Sequence, residues 1–191
     1  MLNIIEGKKN IFVADVRAEK LFREAEDDFF YFNNLESAAE KIEKALTFVP
    51  KMIKALMMRA NIYLLEGNFD SALKYYQLAY EVAPNNPKVL AALANTFELN
   101  EENKKALYYV EKALLSLNSQ YSPLNKALFD LKITILIKQK KYLEAQVLIK
   151  QAKSLLTVDD YRAVYANNIS VLKQKLELQR KIKKNNLKLV K

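Results

Sequence analysis

A period of 34 residues runs through most of the chain and constrains its fold more than any other feature. Small residues carry this period in two series, which are Ala38, Ala72, Ala106 and Ala45, Ala79, Ala113. The two series are seven residues apart, so both fall on one face of a helix, two turns from each other. A methyl-sized side chain at both places allows a neighbouring helix to pack at short range. The period therefore predicts an array of repeated helix pairs.

Bulky residues repeat in step with the small ones. One series belongs to the first helix of each pair and the other to the second helix: Phe29, Tyr63, Phe97 and Ile42, Tyr76, Val110. After five extra residues at about 118–122, a fourth unit continues the pattern with Leu136, Ala145, Ile149 and Ala152. Small residues that face bulky ones at a fixed spacing are typical of interlocked helices, so the sequence predicts four helix pairs.

Turn residues mark where these helices begin and end. Gly67 is suited to the left-handed conformation that closes a first helix, and Asn68 is suited to capping the second. Pro50 and Pro84 stand where second helices must stop, and Asn86 precedes a proline that fits a first helical turn. The predicted pairs span about residues 15–32 and 35–48, 51–66 and 69–82, 87–99 and 103–117, and 123–139 and 142–156.

At these residues the chain resembles the tetratricopeptide repeat family. The second unit is similar to that family's helix–turn–helix signature at Ala60, Tyr63, Gly67, Phe69, Ala72, Tyr76, Ala79 and Pro84. The resemblance extends over about residues 19–159. No unit has the family's frequent tryptophan, and Glu101-Glu102-Asn103 replaces the turn glycine of the third unit. The resemblance implies an all-α fold, a right-handed helical-repeat solenoid of about four helix–turn–helix units.

The ends of the chain extend beyond the four pairs. Residues 1–14 are apolar without a clean period, and we interpret them as an N-terminal cap or arm that packs over the first unit. Residues 15–159 hold the four helix pairs. Residues 160–191 form a capping helix followed by a basic tail, with a start like a capping box at Thr157–Asp160. The apolar stripe of this helix is Tyr161, Tyr165, Ile169, Leu172 and Leu176.

The charge of the chain is concentrated in its C-terminal part. The net charge is +9, and the residues from Asp160 onward carry nine Lys or Arg against two acidic residues. This tail suggests three interpretations: a solvated helix end, a docking site for a partner, or a surface that binds nucleic acid or another acidic partner. No aromatic residue follows Tyr165, so stacking on bases is not expected.

Composition argues against an enzyme. The chain has no His and no Cys, which removes the commonest general base, the thiolate nucleophile and the usual zinc ligands. Its two glycines, Gly7 and Gly67, are too few for a phosphate-binding loop. The acidic residues at 24, 26, 27 and 28 are interpreted as a solvated face. We therefore predict no catalytic residue, no cofactor and no metal site. The absence of an 18-residue apolar run and of a secretory signal predicts a cytoplasmic protein without a membrane span.

Polar residues also follow the period on the first helices, which in such an array line a concave groove. Lys20, Lys54 and Lys88 are 34 positions apart, and each stands seven residues before Asp27, Asn61 or Asn95. The amide of an Asn can donate to and accept from the backbone of an extended peptide. The predicted peptide-binding groove therefore consists of Lys20, Asp27, Lys54, Met58, Asn61, Lys88, Asn95 and Thr134.

These residues predict a non-catalytic scaffold that binds a peptide or partner helix in its concave groove. The alternative is a nucleic-acid-associated or acidic-partner-binding protein that acts through the basic tail. Some tetratricopeptide domains clamp a C-terminal carboxylate, but the corresponding positions here include Asp27, Met58 and Ala92, which do not suit that function. Homodimerisation through an exposed end or the last helix stays an open alternative.

Overall fold

The computed structural model describes residues 2–117, 123–155 and 158–189, with side chains described outside residues 2–12, 153–164 and 183–189. Within these ranges the chain forms nine α-helices and no strand. They are α1 (Leu2–Phe30), α2 (Leu35–Phe48), α3 (Ile53–Leu65), α4 (Phe69–Val82), α5 (Pro87–Leu99), α6 (Asn103–Leu115), α7 (Pro123–Lys138), α8 (Tyr142–Leu155) and α9 (Val158–Leu189). The predicted all-α fold of repeated helix pairs with an additional C-terminal helix is confirmed.

Asparagine side chains start two of the second helices as the sequence predicts. The Oδ1 atom of Asn34 accepts a hydrogen bond from the backbone N–H of Ser37 at 3.0 Å, and Asn68 accepts one from Ser71 at 3.1 Å. Each bond satisfies an amide at a helix start that has no partner within the helix. The predicted bounds of α2, α4 and α5 therefore agree with the structure.

One left-handed residue closes the first helix of every pair. Gly67 has a φ of 73°, and the corresponding residues of the other pairs are Asn33 at 49°, Glu101 at 61° and Lys140 at 61°. Glycine adopts this conformation without steric cost, whereas a residue with a Cβ atom does so at about 1–2 kcal/mol. The turn geometry is thus kept where the sequence lacks the glycine. It is most strained at Glu101 and Lys140, because asparagine tolerates this conformation better.

The two terminal helices are longer than the sequence predicts. α1 begins at Leu2 rather than near Asp15, so residues 2–14, for which we expected a cap or arm, continue the first helix. No proline interrupts this stretch, and adding a residue to an existing helix costs less than starting one. α9 continues to Leu189, beyond the end near Lys184 that we expected for the capping helix. Residues 118–122, Thr157 and the last two residues lie outside the described ranges.

The described residues divide into two compact units, Met1–Thr96 and Phe97–Lys191. In unit 1, α1, α2 and α3 share a core that contains Phe22, Ala25, Ala38, Ile42, Ala55, Met58 and Ile62. The alanines that carry the period are buried wherever they occur: Ala38, Ala45, Ala72, Ala79, Ala106, Ala113, Ala145 and Ala152. Their burial explains the period, because a larger side chain at these places would force the helices apart.

In unit 2, α7, α8 and α9 share a second core. Tyr165 and Leu172 of α9 are buried in it, and they pack with Ile133, Ile149 and Ala152 of the preceding pair. The α9 residue that stands 34 positions after Leu136 is Ser170, and it is exposed. α9 therefore packs as the first helix of a further unit would. At Ser170, however, the face that would receive a second helix is polar, and a polar outer face is typical of a capping helix. Among the described residues, no helix combines the length and hydrophobicity of a bilayer span.

Candidate functional site

The exposed face of the first helices in unit 1 presents polar and apolar residues in register. Asp27 of α1 and Asn61 of α3 are both exposed, and each is followed four residues later by an exposed apolar residue. These are Tyr31, which is 81% exposed, and Leu65, which is 64% exposed. Residues four apart on a helix are neighbours on its surface. The C-terminal ends of α1 and α3 thus each present a polar group beside an apolar one, with Tyr31 in the turn directly after α1. We call this set of four residues the unit 1 face.

Lys54 connects α3 to α1 within this unit. Its ammonium group donates to the Oε1 atom of Glu19 and lies 4.8 Å from the centre of the Phe22 ring. Both contacts are favourable for a cation. Lys54 therefore stabilises the packing of two first helices, and its charge is already partnered by Glu19.

Tyr76 fixes the orientation of the Asn61 amide. The buried hydroxyl of Tyr76 donates a hydrogen bond to the Oδ1 atom of Asn61. Burial raises the pKa of Tyr76 to about 12, so the hydroxyl keeps its proton and remains a donor at neutral pH. Because the amide oxygen is engaged, the N–H₂ group is the part of Asn61 that is available to a ligand.

Two residues of the predicted groove are occupied within the protein. Met58 is 6% exposed and belongs to the unit 1 core, together with Ile62, which follows it by one turn on α3. The hydroxyl of Thr134 donates to the backbone oxygen of Asp130 at 3.0 Å and accepts from the amide of Asn168 at 3.0 Å. Neither side chain therefore offers a free group to a ligand.

The remaining groove residues are exposed. Lys20 lies 3.9 Å from Glu24 on α1. Lys88 stands at the start of α5, where its backbone N–H donates to the side chain of Asn86 at 3.0 Å, and Asn95 lies two turns further along the same helix. Of the eight predicted residues, the structure leaves five exposed and not bonded to another helix: Lys20, Asp27, Asn61 at its N–H₂ group, Lys88 and Asn95.

An open cleft of about 680 Å³ runs along α1. Its lining consists of Val16, the cations Lys20 and Arg23, and the carboxylates Asp15, Glu19, Glu24 and Asp27. Lys20 and Arg23 are each 3.9 Å from a carboxylate of the same helix, Glu24 and Glu19 respectively. Two carboxylates therefore exceed the local cations, and we call this surface the α1 cleft.

Asp28, which the sequence placed in a solvated acidic face, is a structural residue. Its Oδ2 atom accepts hydrogen bonds from Lys41 and from the hydroxyl of Ser37, both at 2.6 Å. These two bonds, that of Lys41 first, hold the pKa of Asp28 below its usual value. The carboxylate joins α1 to α2 and does not line the α1 cleft.

A polar network around Arg59 was not predicted from the sequence. The Arg59 guanidinium group donates to Glu43 at 2.7 Å and to the hydroxyl of Tyr63 at 2.8 Å, and Tyr75 donates to the same Glu43 oxygen at 2.9 Å. Burial raises the pKa of Tyr75 to about 12. The network connects α2, α3 and α4. Its signal is a break in the period, because apolar residues stand 34 positions before and after Arg59.

Metal binding has no support in the described part of the chain, where no three acidic side chains come together as potential ligands. The exposed groups on the first helices are amides, ammonium groups and carboxylates at ordinary surface positions. Amides and ammonium groups can donate hydrogen bonds to another molecule, and carboxylates can accept them.

Solved structures share the fold. A structure described as the functional characterisation of Pseudomonas aeruginosa pilF matches with a TM-score of 0.66 and 16% identity, over 86% of this chain and 76% of that one. MamA matches with a TM-score of 0.59 and 15% identity, over 80% of this chain and 92% of that one. A Thermobaculum terrenum O-GlcNAc transferase mutant matches at 0.57 and 14%, over 64% of this chain but only 22% of the transferase.

No curated protein matches the sequence. The tetratricopeptide repeat family matches residues 53–86, a stretch of one repeat that begins with α3 and ends after α4. This stretch contains the buried alanines, the left-handed glycine and the Asn68 cap described above. The chain therefore contains one segment, residues 53–86, that matches a tetratricopeptide repeat, within a fold that it shares with these solved structures.

Proposed function

We propose that the chain is a non-catalytic scaffold that binds an extended peptide or a partner helix on the exposed face of its first helices. The match of residues 53–86 to the tetratricopeptide repeat family supports an interaction scaffold in general. The observation that carries the specific proposal is the unit 1 face, where Asp27 and Tyr31 repeat as Asn61 and Leu65.

The chemistry of the unit 1 face suits a peptide backbone flanked by apolar side chains. The N–H₂ group of Asn61 donates, and the carboxylate of Asp27 accepts, so the face offers a partner for both backbone groups of a peptide. Leu65 offers apolar surface one turn away on α3, and Tyr31 offers it in the turn directly after α1. Burial of an exposed aromatic ring supplies much of the affinity at protein interfaces.

A display library of random peptides samples many partner sequences at once and therefore tests this proposal directly. Peptides enriched on the full chain should be lost on a Tyr31→Ser, Leu65→Ser variant, because the apolar contacts are removed. The matched control is Leu143→Ser, which changes an equally exposed leucine on α8 of unit 2. Enrichment of the same peptides on all three proteins would exclude the unit 1 face.

A second pair of variants tests the role of Asn61. Asn61→Ala removes the N–H₂ group that is offered to the peptide, and it also removes the oxygen that accepts the hydrogen bond of the Tyr76 hydroxyl. It therefore changes binding and stability together. Tyr76→Phe breaks the same internal hydrogen bond and leaves the Asn61 amide in place. With the double variant Asn61→Ala, Asn95→Ala, we expect at least about tenfold weaker peptide binding, which corresponds to about 1.4 kcal/mol. Equal losses in Tyr76→Phe would attribute the effect to folding.

Binding of nucleic acid or another acidic partner through the C-terminal helix is the second candidate function. The observation that supports it is the positive charge of α9 between residues 173 and 182. This stretch has one acidic residue, Glu177, and four exposed basic residues: Lys173, Lys175, Arg180 and Lys181. The lysines that follow lie among the residues whose side chains are not described. A chain that ends at Leu178 should then lose binding to a labelled duplex, and the full chain should show steep salt dependence. Equal nucleic-acid binding by both chains would exclude the tail.

A further inference from the structure

α9 carries a second apolar stripe that leaves the repeat units and continues into solvent. Val171 is half-buried against the unit 2 core, whereas Leu178 and Ile182 are 53% and 51% exposed. These residues are spaced by seven and four, so they share one face of the helix. The stripe is distinct from the one that contains Leu172 and Leu176, which packs on the unit 2 core. We call Leu178 and Ile182 the outer stripe of α9.

Lysines border the outer stripe. Lys175 precedes Leu178 by three residues and Lys181 follows it by three, so both stand on the same side of α9 as the stripe. Both lysines are exposed. Lys173 lies on the opposite side of the helix, five residues before Leu178. A surface that covers the outer stripe must therefore combine apolar contact with negative charge.

The α1 cleft has this combination. Val16 is exposed in it, and the exposed Val13 lies one turn before. Its lining has four carboxylates and two cations, Lys20 and Arg23, which are paired within α1, and Lys54 of α3 also pairs with Glu19. Acidic groups therefore outnumber basic groups around Val16. Asp15 makes no ion pair in the described contacts, and Glu24 pairs only with the exposed Lys20 of its own helix, at 3.9 Å. An apolar centre with acidic borders is the complement of an apolar stripe with basic borders.

We propose that copies of this chain associate head to tail, with the outer stripe of α9 from one copy lying in the α1 cleft of the next. Leu178 and Ile182 then cover Val16 and Val13, while Lys175 and Lys181 pair with Asp15 and Glu24. The two surfaces differ, so the contact is heterologous, and a pair of copies keeps one free α1 cleft and one free outer stripe. Such contacts produce rings or open chains rather than a symmetric dimer.

Sedimentation velocity of the full chain tests the association. The average mass should rise with protein concentration from the micromolar to the hundreds-of-micromolar range, and it should fall with added salt because the charge pairs are screened. Lys175→Glu, Lys181→Glu should raise the dissociation constant at least about tenfold, and so should Leu178→Ser, Ile182→Ser. Lys173→Glu is the matched control on the same helix, and it should associate like the unchanged chain.

A charge exchange separates this contact from a general effect on folding. Asp15→Lys, Glu24→Lys alone should also weaken association at least about tenfold, and a mixture with Lys175→Glu, Lys181→Glu should recover assemblies in which the two variants alternate in equal amounts. Circular dichroism should show the same helix content in all variants. A chain that stays monomeric at every concentration, a Lys173→Glu variant as impaired as the double reversal, or a mixture that fails to associate would each overturn the proposal. The Tyr31→Ser, Leu65→Ser variant should associate normally, which separates this test from that of peptide binding.

Discussion

The side-chain amide of Asn168 donates to the hydroxyl oxygen of Thr134 at 3.0 Å, and the two residues are 34 positions apart. The spacing of the four helix pairs therefore continues into α9. The same amide donates to the carboxylate of Asp130 at 2.7 Å. Thr134 follows Asn61 and Asn95 in the repeat, and those two asparagines are exposed in unit 1. At Thr134 the same position is instead bonded to the capping helix α9.

Removal of the Asn168 amide should destabilise unit 2. Asn168→Ala leaves the half-buried Asp130 carboxylate without this donor, and we expect a loss of about 1–3 kcal/mol in the free energy of unfolding. Urea titration followed by circular dichroism measures it. Ser170→Ala changes the exposed side of the same helix and should stay within about 0.5 kcal/mol of the unchanged chain. Equal stability of the two variants would contradict a structural role for Asn168.

Asp130→Asn should stabilise the protein at neutral pH. Burial raises the pKa of Asp130 above its usual value, and the bond from Asn168 opposes this only in part. A folded-state pKa above the unfolded one means that protonation favours folding. This contribution is complete below the unfolded pKa and is lost as the pH rises through the folded pKa. An amide oxygen still accepts from Asn168 but carries no charge to bury, so the variant should exceed the unchanged chain at neutral pH and not in acid. A less stable variant at neutral pH would show that the charged hydrogen bond outweighs the burial.

Asp28→Asn should have the opposite pH dependence. The hydrogen bonds from Lys41 and Ser37 hold the folded-state pKa of Asp28 below its usual value of 3.8. The stability that this carboxylate contributes is therefore present above the unfolded pKa and is lost as the pH falls through the folded pKa. The variant should be less stable than the unchanged chain at neutral pH, and the difference should disappear in strong acid. Thermal unfolding at a series of pH values measures this, and Lys41→Met should give a similar profile. A difference that persists in acid would assign the effect to packing.

Glycine at the strained turns should stabilise the chain. Lys140 adopts a φ of 61°, so Lys140→Gly removes a steric cost and should raise the free energy of unfolding by up to about 1 kcal/mol. Asn33→Gly should gain less, since asparagine tolerates this conformation. Gly67→Ala should lose about 1–2 kcal/mol through backbone strain alone, because an added Cβ atom meets nothing within 4 Å. Urea unfolding of the three variants checks the order, and a stabilising Gly67→Ala would contradict it.

Local sequence signals predicted most of the helices correctly. Prolines and asparagines end and cap helices through contacts within a few residues, so the bounds of α2, α4 and α5 could be read directly. α1 was too short in the prediction because its first residues show no clean apolar period, and helix continuation does not require one. The left-handed turns at Glu101 and Lys140 lack the glycine signal, and the register of the surrounding pairs imposes them.

The sequence by itself determined the repeat length, the buried alanines and the set of positions that face outward from the first helices. The tertiary structure decided how those positions are used: Met58 lies in the core, Lys54 pairs with Glu19, Tyr76 orients Asn61, and Asn168 engages Thr134. A period of 34 residues repeats the packed and the solvated faces of each helix equally, so it cannot separate a binding residue from a packing residue. That distinction depends on partners from other helices, which only the folded chain brings together.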